Sequence, residues 1–400
     1  MPSSRRRFLA GLAAGCTGTV GGCAELRYSE SAFSPGTAET TEWRYPDYDR
    51  YSTAYSRDAA APRNGVSKRW SATIPWPRGR PVVADGRVFA STMENLVALD
   101  LDSGEKLWSF SASDHSWTAP PTVRDGTVYV GAGDERGLWA LDAATGKAEW
   151  SVETRGPVKA AVLPSHTGDR LYAGDATGRV CVLGLDGSVA KTRNVLGPVA
   201  SLCAGRSTVV VGTKGGHVYE FYQDGEAFYP LWGRRVAGGV QDVAVVDGGS
   251  VVVSVFGDYV YKLRNGAHAG SNRWRAEFTA NDFVAAKTDV VGTNLSTLTS
   301  LNASDGDPRW SRSGKYVAGP AAAGDRFYVG GEYDGDSNGG YLAAYPLGKG
   351  GKLLGGEPER AWKRELPGTP VGGLTVADGA LLTVTKRQDG DDNLYVFDPA

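Results

Sequence analysis

Three stretches of this chain repeat one eleven-residue phrase ending in tryptophan: ALDLDSGEKLW at residues 98–108, ALDAATGKAEW at 140–150 and SLNASDGDPRW at 300–310. Reuse at wide spacing constrains the fold strongly, because each copy must sit in the same local structure. No copy holds a histidine, a cysteine or a nucleophile with an evident partner, so the repeated residues read as architecture. The tryptophans carry the pattern further. Trp70, Trp108, Trp150, Trp232, Trp274, Trp310 and Trp362 are separated by 38, 42, 82, 42, 36 and 52 residues. The 82 is two periods, since the copy between carries Leu185-Asp186-Gly187-Ser188 and no tryptophan.

Within each period the chain reads as short strands. Val128–Gly131 (VYVG), Leu171–Gly174 (LYAG), Val209–Gly212 (VVVG) and Phe327–Gly330 (FYVG) are among eight such second strands. Asp-Gly pairs such as Asp85-Gly86, Asp125-Gly126 and Asp378-Gly379 precede several of them, the strongest short-range hairpin signal because glycine takes the positive φ that the turn needs. The 55 glycines fit many tight turns and have no collagen-like period. Four strands in about 40–45 residues is a β-propeller blade. Residues 43–400 hold eight copies, predicting an all-β, eight-bladed propeller of four-stranded antiparallel blades.

The phrase itself predicts a blade-docking device. Asp100 and Asp142 can accept hydrogen bonds from exposed turn amides, Gly104, Gly146 and Gly306 can take the left-handed position, and Trp108, Trp150 and Trp310 can cover the neighbouring blade. Asp224-Gly225 and Asn265-Gly266 are the corresponding partial matches before Trp232 and Trp274, and the third copy, without tryptophan, should form the weakest joint. Three strands and no fourth end the chain, while the orphan strand Ser67–Ile74 around Trp70 precedes the first blade. That strand should complete the last blade, closing the ring and hiding an open edge.

On these motifs the chain resembles the PQQ-like (quinoprotein-type) β-propeller repeat family, over nearly all of its length after residue 42. The resemblance implies two kinds of function. One is that of the BamB type, a lipid-anchored, non-catalytic propeller that binds envelope proteins. The other is quinone-dependent dehydrogenation, in which a vicinal Cys-Cys pair covers the quinone and acidic and amide side chains hold calcium. No Cys-Cys exists here; after Cys16 and Cys23 only Cys181 and Cys203 remain, each within an apolar strand, readable as buried thiols or as a disulfide. The expectation is therefore no catalytic residue and no PQQ or Ca cofactor. A dehydrogenase reading would need Arg78, Arg80, Lys159 and Gln241 to converge on an axial pocket.

The first residues read as an address. Ser4 to Leu9, with Arg5, Arg6, Phe8 and Leu9, resembles a twin-arginine export signal over residues 1–22, and Val20-Gly21-Gly22-Cys23 resembles a lipobox. Cys23 is the expected lipid site, with Cys16 as its rival, and residues 23–42 the lipidated cysteine and flexible spacer. The predicted location is thus the extracytoplasmic side of a membrane, with a monomer held there by its lipid.

Net charge is −2, and −5 without Arg5, Arg6 and Arg7, which argues against a nucleic-acid surface. The histidines are dispersed and no zinc-ligand spacing exists, so no metal site is expected. Asp334, Asp336 and Asn338 echo the start of a calcium loop, but Tyr345 stands where its carboxylate is needed. Second-to-third-strand loops carry Glu94, Asp134, Glu135, Asp175, Asp258, Asp334, Asp336, Asp389, Asp391 and Asp392, and the concentration of acid in blades seven, eight, one and two predicts an acidic arc on that face. Trp76 and Arg78, with His115 and Trp117, lie between blades beside that arc, readable as a binding face or as a plug of the channel mouth. A cation- or carbohydrate-binding module using the same residues is a further reading. Asn294-Leu295-Ser296 and Asn302-Ala303-Ser304 match the glycosylation pattern.

Overall fold

The computed structural model describes residues 41–400 apart from 61, 114–117, 133–135, 258, 334–338, 351–355 and 387–391. Eight four-stranded antiparallel blades follow one another around an axis, each running from an inner first strand to an outer fourth. The inner strands are Pro77–Ala84, Thr122–Arg124, Leu163–Pro164, Val199–Ala204, Val240–Val246, Asp282–Ala285, Lys315–Ala323 and Pro370–Ala377. They are rich in Val and Ala because each is covered on both faces by neighbouring blades. Val66–Ala72 pairs antiparallel with Leu394–Pro399, so the N-terminal strand is the fourth strand of blade eight and closes the ring.

The tryptophans staple the blades as the repeated phrase predicted. Trp70, Trp108, Trp150, Trp274 and Trp310 each lie on an outer strand and donate their Nε1–H to a carbonyl in the next blade, those of Leu101, Ala143, Leu185, Ala303 and Lys349, at 2.7–3.1 Å. Each indole lies over a glycine of that blade: Gly104, Gly146, Gly187, Gly306 and Gly350, all with φ between +70° and +88°. A Cβ on any of them would lie 2.5–2.8 Å from the ring, so the seat is open to glycine alone. Asp100 and Asp142 hold the turns that present these seats, accepting from Ser103 and Thr145. A bulge residue immediately precedes the tryptophan position in each outer strand bar that of blade seven, swinging the ring toward the next blade.

Blades three to five vary the device. Trp232 is seated on Gly270, five residues beyond Asn265, and its Nε1–H turns back to Glu220 of its own blade. The Asn265-Gly266 match is therefore corrected: a short 3-10 turn, Gly266–His268, displaces the seat to Gly270. Gly225 meets no neighbour within 4 Å, because Lys191 occupies the tryptophan register position of blade three. That joint is held instead by Tyr172 Oη donating to Gln223 at 2.6 Å, a Lys191–Glu226 ion pair at 2.7 Å, and Arg193 over the Phe228 ring. Cys181 and Cys203 are buried free thiols in different clusters.

Removing a staple should be costly. Trp108→Ala should destabilise the protein by about 3–5 kcal/mol, the usual range for deleting a buried tryptophan, and speed amide exchange in blades one and two. In the unaltered protein, exchange should reach Val189–Asn194 before the other outer strands, since an exposed ion pair contributes at most about 1 kcal/mol. Hydrogen exchange read by mass spectrometry checks both.

Candidate functional site at the propeller axis

Residues 41–56 lie outside the four-stranded blades, with Tyr55–Ser56 pairing in parallel with the inner strand of blade seven. They coil across one end of the axis, the end that carries the turns between first and second strands. Backbone bonds link this segment to inner strands or their turns at blade one (Trp43 to Val83), two (Val123 to Arg44), four (Ala204 to Arg50), five (Val245 to Tyr51), six (Ala285 to Thr53), seven (Ala322 to Ala54) and eight (Asp378 to Thr41). Arg50 reaches the His166 carbonyl of blade three through its side chain. Trp43 is fully buried with its Nε1–H on the Pro46 carbonyl. The sequence reading missed this plug, and Thr41 and Glu42, expected in a flexible spacer, are seated: Glu42 pairs with Arg44 at 2.6 Å and accepts from the Asp85 amide. The segment lacks strand alternation, leaving a run of aromatic residues (Trp43, Tyr45, Tyr48, Tyr51 and Tyr55) with Asp47 and Asp49 as its sole signal.

The plug carries Asp47 into the axis. There Arg80, 4% exposed, reaches Asp47 at 3.1 Å and Asp282 at 3.1 Å, and donates to the Pro320 carbonyl at 3.0 Å. Room for Arg80 and Asp282 comes from Gly373 and Gly319, where any Cβ would collide with them. Asp242 completes a trio; carboxylate oxygens of Asp47, Asp242 and Asp282 all lie within 4.8 Å of one another. Asp242 accepts from Ser201 Oγ at 2.6 Å and the Val243 amide at 2.8 Å. Three carboxylates thus gather at the axis beside one guanidinium, which pairs with two of them. Burial pushes Asp47 up to about 6 and Asp49 up to about 7, and holds Asp242 and Asp282 above the ordinary carboxylate range, with Asp47 and Asp282 adding like-charge repulsion at Asp242. Beside the trio is a cavity of about 120 Å³ lined by Tyr45, Asp47, Asp49, Lys159, Ser201 and Leu202 among others.

Of the residues foreseen to converge, Arg80 is at the axis, Lys159 lines the cavity, and Gln241 accepts from Lys214 at 3.0 Å; Arg78 is exposed. The three aspartates were missed because they are far apart in sequence and only ring closure brings them together. Trp76 is 57% exposed, so it does not plug the channel mouth. Of the loop acids, Asp175 of blade three is buried, its carboxylate accepting from Thr177 and Arg179 of its own turn and from the Gly156 amide, and Asp392 of the predicted arc accepts from Ser71 and Thr73. His115, Trp117, Asp134, Glu135, Asp258, Asp334, Asp336, Asp389 and Asp391 lie outside the described residues, as do Arg5, Arg6, Phe8, Leu9, Cys16 and Cys23.

The raised carboxylates set a pH dependence. A group that holds its proton more tightly folded than unfolded stabilises the fold at low pH, and that contribution is lost as pH rises through the folded value. Melting temperature should therefore rise as pH falls from 8 to 5. Below about 4 the hydrogen-bonded turn carboxylates of Asp100, Asp142 and Asp186, held low by their Ser and Thr partners, reverse the trend. Asp242→Asn, which keeps an acceptor for Ser201, should raise the melting temperature at pH 8 and flatten its slope; calorimetry across this range checks it.

Comparison with known proteins agrees with this architecture. A family model described as outer membrane protein assembly factor BamB matches residues 58–265. The 1-butanol dehydrogenase (cytochrome c) of Thauera butanivorans is 32% identical over 146 residues, 32% of this chain and 20% of that protein. The quinohemoprotein alcohol dehydrogenase ADH IIB of Pseudomonas putida is 32% identical over 124 residues, 28% of this chain and 18% of that protein. The chain thus aligns with about a fifth of the length of these relatives. Among solved structures, BamB from Moraxella catarrhalis superposes with a TM-score of 0.63 at 17% identity, over 84% of this chain and 98% of that one. Quinohemoprotein alcohol dehydrogenase from Comamonas testosteroni gives 0.71 at 14% identity, over 90% and 81%. Both structures share the fold. With just over half its length matched by the family model, the chain belongs to the PQQ-like repeat family described as outer membrane protein assembly factor BamB.

Proposed function

We propose that this protein is a membrane-tethered, extracytoplasmic propeller that binds other envelope proteins and performs no chemistry of its own. The observation that carries the proposal is the contrast between its two ends. One end is closed by residues 41–56. The other, formed by inter-blade segments and second-to-third-strand loops, exposes Trp76, Met93, Leu196, Phe256 and Leu295 at 45–71%. Exposed large apolar side chains spread over one face mark protein-binding surfaces. Thr41 enters beside Asp378, on the closed end. A lipid on Cys23 would hold that end toward the membrane through residues 24–40, which reach about 60 Å when extended, and turn the apolar face toward partners.

The relatives named as quinone enzymes raise catalysis as the second reading. The described axis does not fit their cofactor. Ligand pockets occupy roughly 300–1,000 Å³, whereas the axial cavity is about 120 Å³. A quinone bearing carboxylates would meet Asp47, Asp242 and Asp282, and a calcium ion would compete with Arg80 for Asp47 and Asp282.

Intact mass and absorbance of protein from its native membrane test this reading, joined to photo-crosslinking from Phe256 and, as a control, from Leu107 on the outer rim. The expected result is a lipid-sized increment on Cys23, no quinone absorbance, and crosslinks from Phe256 alone. A stoichiometric quinone, or equal crosslinking from both positions, overturns it.

A further inference from the structure

A second cleft lies between blades four and five, on the apolar end of the propeller, and measures about 360 Å³. Its lining is Lys214, Gly215, Gly216, Arg235, Val236, Ala237, Gly238 and Gly239. The only charged side chains among these are two cations. Lys214 is bonded through Nζ to the neutral amide oxygen of Gln241, and neither it nor Arg235 forms an ion pair among the described residues. Partial desolvation pushes the Lys214 ammonium below its ordinary range, with the Asp242 carboxylate acting in the opposite direction. The glycines are required by the backbone: at Gly239 a Cβ would lie 2.7 Å from the Lys214 carbonyl, and at Gly238 it would collide with that of Phe256. Among the described residues, the amides of Gly215, Gly238 and Gly239 donate to no protein acceptor.

We propose that this cleft binds a small oxyanion, a carboxylate or a phosphate, between Lys214 and Arg235 over the glycine backbone. Each element has its physical reason. Bare backbone N–H groups in a concavity bind anions because no side chain keeps the ligand away. The guanidinium of Arg235 offers a planar pair of donors that matches either oxyanion. Lys214 supplies a point charge whose partial desolvation is relieved when an anion arrives. The cleft lining contains none of the axial trio, of which Asp242 acts electrostatically on Lys214, and the site does not depend on whether the apolar face binds proteins.

Isothermal titration calorimetry on the full chain at constant ionic strength tests it, with sodium phosphate and sodium succinate as separate titrants. One of them should saturate a single site with a dissociation constant of about a millimolar or tighter, −4 kcal/mol or better. Saturation by phosphate alone, or by succinate alone, assigns the class; saturation by both assigns the shared oxyanion chemistry. Lys214→Gln and Arg235→Gln should each weaken binding about tenfold, as expected for losing a charge-assisted hydrogen bond, while Lys363→Gln on the rim of blade seven should not. Lys214 and Arg235 are both exposed, so neither variant should disturb the fold and each reads binding independently. Failure of both titrants to saturate, or unchanged affinity in both variants, overturns the proposal.

Discussion

The ring depends on an indole lying flat on a glycine. A blade has two apolar faces and cannot bury either alone, so every joint needs a large apolar group that fits a reproducible seat. The seat is made by a turn whose glycine has a positive φ and no Cβ, so the tryptophan meets backbone and can also hydrogen-bond a carbonyl beside it. Trp362 of blade seven shows how general the requirement is. Its Nε1–H goes to the Pro62 carbonyl of the N-terminal segment, because blade eight takes its fourth strand from that segment and so has no turn between third and fourth strands to offer. The segment leading into the closing strand therefore supplies both that acceptor and, through Trp70, the staple from blade eight to blade one.

The N-terminal segment meets a second constraint. A ring of eight blades leaves a central channel, and the inner strand of a blade has unpaired backbone groups facing it. Residues 41–56 satisfy some of these groups around nearly the whole circle. A single segment bonded to many blades restrains joints that pairwise staples leave weak. It crosses the third and fourth blades, where the staple is missing: Arg50 reaches both His166 and Ala204, and Ser52 Oγ donates to the Leu202 carbonyl. The polar pair Tyr172–Gln223 could satisfy its own hydrogen bonds at that joint but could not match the burial of an indole.

The blades were legible in the sequence because they repeat. Asp-Gly turns, VYVG-like strands and the tryptophan period each reported the same four-stranded unit, and agreement across levels is what makes a fold readable. Ring closure by the strand around Trp70 was legible for the same reason, as a fragment left over from the count. The shift of the Trp232 seat from Gly266 to Gly270 was not, since it depends on a 3-10 turn with no periodic mark. The axial site was illegible for a deeper reason. Arg80, Asp47, Asp242 and Asp282 belong to blade one, the plug, blade five and blade six, and nothing in the spacing of four residues scattered over 236 positions encodes a meeting at the axis.

The proposed parting of fold and chemistry rests on the axis. A channel mouth becomes a cofactor site only if it keeps volume and supplies charge opposite to the ligand. Here the plug takes the volume with Trp43 and Pro46, and the inner strands contribute carboxylates that compete for one guanidinium. Burying them raises their proton affinity rather than creating a site for an anion. Such an arrangement is tolerable because Arg80 is anchored on three sides, by Asp47, Asp282 and the Pro320 carbonyl, with its guanidinium above the Trp43 ring. Arginine suits this position because its charge is spread over a plane that can bridge two carboxylates and stack on an aromatic face at once. A lysine could do one or the other. The cluster thus locks the plug to blades one and six, and the same loops that vary most freely among blades are left, on the opposite face, to meet whatever the protein binds.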